Sequence, residues 1–444
     1  MVGIAAKVPM FSELFRRLYP ELELLRLDDS EMIKDITFVV TEDCNLRCTY
    51  CYEHNKNSKK RMTKDIAKKA VDMIFNEQSK PRGKFINSYN TIGVVLEFVG
   101  GEPFLEIELI DYIVEYFRYK AVSLNHRWAL NYMISFSTNG VLYNDPRVQD
   151  FLRRNDGRVS LSISIDGNKE LHDSCRKFPD GTGSYDVVEK AFKHYLGCSS
   201  QKSTKVTISP ENIEHLFSAC KHLFEMGLTF IPANCVFENV WELKHAQILY
   251  EQLLLLAGYL LEENRYSYLL CTFFDETIGQ PLPETENQNW CGGTGKMLAI
   301  APDGKLYPCL RYLPFSLNSG CRPLVIGDVD NGIEVTEEQR EVVRMLNSIT
   351  RRSQSTDECF YCPVASGCAW CSAYNYEATG TPGKRATYIC IMHKARVLAN
   401  YYYWNRVYKK AGIPKEFKLN LSEEDIRAIA GDGTAMLEKE GGAL

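Results

Sequence analysis

The sequence predicts an α/β fold, a partial (β/α)6 TIM-like barrel followed by a cysteine-rich extension. Three observations carry this. Six short apolar runs alternate with longer amphipathic stretches between residues 36 and 260. The alternation stops near residue 265, and Gly, Pro and Cys dominate from 285 to 390. Most of the sixteen cysteines fall into an early group and a late group. Short continuous apolar strands separated by helices belong to a parallel sheet covered on both faces, with right-handed crossovers. An open doubly wound sheet is the rival arrangement. Both place ligands at the carboxyl ends of the strands.

The elements follow in order. Residues 1–34 are a lead-in, 35–262 the barrel, 263–395 the cysteine-rich domain, and 396–444 a C-terminal helix and tail. ITFVVT (36–41) is the first strand, with a helix over 63–77. VVLEFV (94–99) is followed by a helix at 106–120, and YMISFST (132–138) by one at 146–154. VSLSISID (159–166) precedes a helix near 185–195, and KVTIS (205–209) one at 213–225. LTFIPANCV (228–236) reads as a single sixth strand before a long helix at 241–260. Beyond the barrel, Asp303-Gly304 marks a hairpin turn between Cys291 and Cys309. A helix is expected over 391–409, and the tail after Gly431 should fray.

Composition narrows the function. The chain has 444 residues, 45% hydrophobic and 25% charged, enough to bury a sizeable core. Its net charge of -5 does not suit wrapping nucleic acid, and the basic run Lys56–Arg61 reads as a solvated loop. The most apolar helical run, Leu253–Leu261, is half of a membrane span, and no secretory core opens the chain. A cytoplasmic protein without membrane or nucleic-acid partners is expected. A disulfide scaffold is not. Cys175, Cys198, Cys220 and Cys235 read mostly as small buried apolar residues.

The early group lies in TEDCNLRCTYC. Cys44, Cys48 and Cys51 are spaced C-x3-C-x2-C directly after the first strand. Three thiolates on a short loop can hold three irons of a 4Fe–4S cluster and leave the fourth open to a small chelator. Structural zinc would want a fourth ligand nearby, for which His54 is available. The second strand runs into Gly100-Gly101-Glu102-Pro103. The glycines permit close backbone approach, and the carboxylate of Glu102 can accept from an ammonium. Ser137 and Asn139 end the third strand, Ser164 and Asp166 the fourth, and Arg176 follows.

CNLRCTYC, with Tyr50 before its last cysteine, resembles the signature of the radical S-adenosylmethionine enzymes. The resemblance implies that the open iron chelates S-adenosylmethionine and that its reductive cleavage yields a 5'-deoxyadenosyl radical. It assigns GGEP to the methionyl amino group, the strand ends to ribose and methionyl parts, and Arg176 to the methionyl carboxylate.

The late group comprises Cys291, Cys309 and Cys321, then Cys359, Cys362, Cys368 and Cys371 in CFYCPVASGCAWC, and Cys390. Eight thiolates suit two four-iron clusters or two to three zinc sites, and spacing alone does not separate them. The pattern resembles the SPASM domain, the extension of radical enzymes that modify peptides and proteins. The resemblance then spans about residues 36–395 and implies two auxiliary 4Fe–4S clusters. It gives Cys359, Cys362, Cys368 and Cys390 to the outer one. Cys291, Cys309 and Cys371 fall to the inner, with Cys321, Cys271 or a substrate thiolate as fourth ligand and Cys321 favoured. Two residues rather than three separate Cys368 from Cys371, which departs from the family pattern.

The implied function is a maturase of a cysteine-rich precursor peptide, forming thioether crosslinks. The alternatives are an anaerobic sulfatase maturase making formylglycine, a carbon–carbon crosslinking or epimerising maturase, and, in a different class, a zinc-rich interaction protein. A reductant such as flavodoxin or ferredoxin is expected. With about 35 residues before the first strand, a full leader-gripping winged-helix domain is not expected, so leader binding falls elsewhere or to a separate protein. No residue stands out as general base.

Overall fold

Ile36, Phe38, Val39 and Val40 have no solvent exposure, as a strand covered on both faces requires. The computed structural model describes residues 33–53, 58–76, 92–198, 202–289, 291–317 and 320–431. Nearly all of the lead-in, the tail after Gly431, His54 and the start of the basic run lie outside them. The strand–helix units appear in the predicted order. They are β1 (Ile33–Thr41), α1 (Lys64–Asn76), β2 (Gly93–Gly100), α2 (Ile107–Ser123), β3 (Tyr132–Thr138), α3 (Pro146–Arg154) and β4 (Val159–Ile163). Next come α4 (Lys169–Cys175), α5 (Tyr185–Cys198), β5 (Val206–Ile208), α6 (Leu216–Glu225), β6 (Phe230–Ile231), β7 (Ala233–Cys235), α7 (Leu243–Leu261) and β8 (Leu270–Cys271).

Local chemistry explains the helices. On α2, Ile107, Ile110, Val114, Phe117 and Ala121 recur at helical spacing and are all buried. Asp145 caps α3 by accepting from the Arg147 amide, and Pro146 fits the first turn. The parallel sheet runs β1-β2-β3-β4, and a parallel bridge from Ile163 to Thr204 carries it to the start of β5. The expected sixth strand is two. Pro232 has no amide proton to give a ladder, and the chain changes partners there. β6 pairs with β8, and β7 pairs with β5.

The extension continues the same sheet. β9 (Met297–Ile300) and β10 (Lys305–Tyr307) form the expected hairpin, with Gly304 at φ +83° in its turn. β9 lies parallel to β1, with Asp35 opposite Met297 and Phe38 opposite Ile300. β11 (Gly327–Asp328) and β12 (Gly332–Ile333) complete the edge. The Lys34 ammonium donates to the Gly295 carbonyl at 3.0 Å, and Leu298, Ile300, Leu306 and Ile326 are buried in the core that holds β1. This region therefore shares the barrel's core, and Ile278, Val364, Val397, Tyr408 and Phe417 form a small second cluster farther along the chain. Then follow α8 (Glu337–Ser348), α9 (Ser372–Thr379), α10 (Cys390–Ala411) and α11 (Glu423–Ala430). α10 packs along α7. Among the described residues no helix is long and apolar enough to cross a membrane.

A shared sheet and core predict one cooperative unit. In native-state hydrogen exchange, the amides of β9 should open with those of β1. Exchange of β9 by a separate, lower-energy opening would contradict this.

Candidate functional site

The cysteine loop after β1 is fixed from two sides. The Arg47 amide donates to the Lys177 carbonyl at 2.7 Å, and the Thr49 amide to the Cys175 carbonyl at 3.0 Å. The opposite wall is the end of β2. A Cβ on Gly100 would stand 2.2 Å from the Thr41 carbonyl oxygen, and one on Gly101 2.3 Å from that of Asp43. The glycines thus let the backbone of β2 lie against the cysteine loop. The Glu102 amide donates to the Asp43 carbonyl at 3.0 Å.

Glu102 is 1% exposed, and its carboxylate is already engaged. It accepts from the Thr138 hydroxyl (2.7 Å), the Asn139 amide (2.8 Å) and the Phe104 amide (3.1 Å). Burial raises its pKa to about 7 against these bonds. Its visible work is to tie the end of β2, where Pro103 opens a short 3-10 turn, to the end of β3. Asn139 reaches back to the Asn45 side chain at 2.6 Å and to the Cys44 sulfur at 3.8 Å. Burial pushes the Cys44 thiol up to about 12, with the Leu46 amide opposing.

Tyr50, Asp166 and Arg176 form a closed set. The Tyr50 hydroxyl (2.5 Å) and Arg176 Nε (2.9 Å) both donate to Asp166 Oδ2, and the guanidinium lies over the Tyr50 ring. Among the described residues Asp166 Oδ1 is buried without a partner. Arg176, expected to face a ligand carboxylate, thus spends one donor on Asp166. Beside them, burial holds His172 near 4, so it is neutral, bonded to the Ser184 hydroxyl.

A cavity of about 520 Å³ joins these parts. Cys44, Cys48, Cys51, Gly100, Gly101, Ser137, Asn139, Ser164 and Arg176 line it, and Cys371 of the late group reaches it too. Residues not singled out from sequence complete it: Glu97, Lys205, Glu238 and Arg311. Arg311 pairs with Glu238 at 3.1 Å and lies over the Tyr52 ring. Lys205 is walled in by the barrel, yet its side chain is open to the cavity solvent. Burial and Arg176 lower its pKa, with Glu97 opposing. Strand parity was the missed signal, since Lys205 and Thr207 line the cavity while Val206 and Ile208 are buried.

The late cysteines form two groups. Cys309 is buried, and its pKa is raised by burial and then by Cys371 and Cys291. The Ser372 hydroxyl lies 3.1 Å from the Cys291 sulfur and accepts from the Tyr312 hydroxyl at 3.0 Å. Cys368 is pushed up to about 11 by burial, and it senses Cys390, Cys359 and Cys362. Cys321 is half-buried. Its loop leaves it beside Glu377 and Tyr376. Cys271 is buried against Cys220. Among the described residues no three His, Cys, Asp or Glu side chains form a site for a single metal ion.

Residues 38–223 match the sequence model of the Radical SAM superfamily. Residues 38–223 are therefore a Radical SAM superfamily domain, a cysteine-rich extension follows, and the homology supports enzymatic activity. An uncharacterized protein of Methanocaldococcus jannaschii is 28% identical over 199 residues, 45% of this chain and 61% of that one. The serine-type anaerobic sulfatase-maturating enzyme of Bacteroides thetaiotaomicron is 25% identical over 299 residues, 61% of this chain and 67% of that one. AlbA, the antilisterial bacteriocin subtilosin biosynthesis protein of Bacillus subtilis, is 24% identical over 284 residues, 62% of this chain and 54% of that one. The alignments thus span between about half and two thirds of these relatives. The fold matches native anSMEcpe with bound AdoMet and Cp18Cys peptide at TM-score 0.60 and 19% identity, over 86% of this chain and 100% of that one. It matches Streptococcus suis SuiB bound to precursor peptide SuiA at 0.51 and 12%, over 85% and 80%.

Glu102→Gln should cost about 1–3 kcal/mol in urea unfolding, because an NH2 then faces a donor. With the folded pKa above the unfolded one, the native state holds the extra proton between them. Stability from Glu102 should therefore fall as pH rises from the ordinary carboxylate value of 4.5 to about 7. That slope should be missing in Glu102→Gln, and an unchanged slope would count against the assignment.

Proposed function

We propose that this chain is a radical SAM enzyme that oxidises a cysteine or serine side chain of a peptide or protein, as in sulfatase maturation. The observation that carries the reading is the single cavity lined by Cys44, Cys48, Cys51 and Cys371. The alignment to sulfatase-maturating enzymes, which runs past the catalytic domain into the extension, supports it.

The donor chemistry fits the implied groups. Cys44, Cys48 and Cys51 would hold a 4Fe–4S cluster, and Ser137, Asn139, Ser164 and Arg176, from four places on one rim, would face S-adenosylmethionine. When bound, the pair supplies a 5'-deoxyadenosyl radical that takes a hydrogen atom from the substrate. The trio Cys291, Cys309, Cys371 and the quartet Cys359, Cys362, Cys368, Cys390 would hold two further clusters. The chain's own residues do the rest. Glu102 keeps the ends of β2 and β3 in register, and Tyr50–Asp166–Arg176 fixes the cavity floor. Lys205 Nζ, with no hydrogen bond or ion pair among the described residues, receives the proton the oxidised side chain releases.

A second reading, thioether crosslinking of a cysteine-containing precursor peptide, keeps a specific observation. One member of the inner trio, Cys371, lines the cavity, which leaves room for a substrate thiolate as the fourth ligand. The likeness to AlbA lies on this side.

Anaerobically reconstituted protein should carry about twelve irons per chain, four for each of three clusters. With reductant, S-adenosylmethionine and a panel of cysteine and serine peptides, it should form 5'-deoxyadenosine and an aldehyde that a hydrazide captures. Loss of hydrogen with loss of free thiol, but no aldehyde, would select the crosslinking reading. Absence of 5'-deoxyadenosine would reject both. Lys205→Met should lower product formation by about 100-fold or more while 5'-deoxyadenosine still forms. Equal loss of both would remove Lys205 from proton transfer.

A further inference from the structure

The two late thiol groups have different hydrogen-bond donors. In the outer quartet, Arg385 Nη2 donates to the Cys368 sulfur at 3.1 Å and to its carbonyl at 3.4 Å. Among the described residues Arg385 has no carboxylate partner, so its charge stays directed at the thiols. Nearby cations are otherwise engaged. Lys394, which also acts on Cys390, is held by Asp425 at 2.7 Å. Arg351 donates to the Pro283 carbonyl at 2.9 Å and lies over the Phe360 ring.

The inner trio has a neutral donor. Tyr312 donates to Ser372, which is left to donate to the Cys291 sulfur. Gly293 makes room for this. A Cβ there would stand 3.1 Å from the Cys309 sulfur and 3.4 Å from the Ser372 hydroxyl. The cation nearest the trio, Arg311, is balanced by Glu238 and Glu377.

We propose that Arg385 is a positioning residue that raises the reduction potential of the outer quartet's cluster, and that Ser372 raises the inner trio's more weakly. This rests on the reading that both groups hold iron–sulfur clusters. A donor to a ligating sulfur stabilises the reduced, more negative state, and a charged donor does so about twice as strongly as a neutral one.

The test is a redox titration of the reconstituted full-length chain, followed by electron paramagnetic resonance and paired with iron analysis. Arg385→Met should move one late-cluster signal to more negative potential at unchanged iron content, and Arg385→Lys should restore part of the shift. Ser372→Ala should move the other late signal, in the same direction and by less. Unmoved potentials at full iron in both Arg385 variants would overturn the proposal alone. So would iron loss in both, which would make Arg385 a requirement for loading. Four irons in the unmodified protein would overturn the cluster reading and the proposal with it.

Discussion

The approach of Gly100 and Gly101 to the backbone of the cysteine loop is the constraint on which the site depends. It sets the end of β2 against Thr41, Asp43 and Cys44, closer than any side chain allows. Glu102 then follows directly into a buried position, where its oxygens collect donors from β3. Asn139, held there, turns back to Asn45 and Cys44. The cysteine loop, β2 and β3 are thus one object. Its rigidity comes from backbone contact and buried hydrogen bonds rather than from side-chain packing alone.

Around this object the barrel gathers charge. Arg176, Lys205 and Arg311 converge on a cavity whose acidic members are Glu53, Glu97 and Glu238, with Asp166 held behind Arg176. Most of that charge is neutralised in pairs, which orients the side chains and limits the cost of enclosing them. Lys205 is the exception, and its pKa is lowered first by burial and then by Arg176.

What the sequence disclosed was local. The cysteine loop, GGEP and the polar strand ends each lie within a few residues of one strand, so spacing and composition reveal them. The hairpin at Asp303-Gly304 was readable for the same reason. Convergence was not readable. Glu238 and Arg311 come from separate elements, and nothing in their own neighbourhoods marks them. The pairing of Arg176 with Asp166 needs the turn between β4 and α4, which spacing does not specify. Two misses had local signals. Pro232 breaks what looked like one strand, and the capping box of Thr336 and Gln339 announces α8 in a stretch that seemed irregular.

The junction of β9 with β1 bears on how this architecture can be rebuilt. A barrel cut free of its extension would present β1 as a bare edge, and unpaired strand edges recruit other chains. The extension is therefore not a detachable module. A chimera that exchanged it for a relative's would have to bring a strand of matching register for residues 35–38, or cap that edge in some other way. Grafts that respect only the cysteine pattern would keep the thiols and leave that edge unpaired.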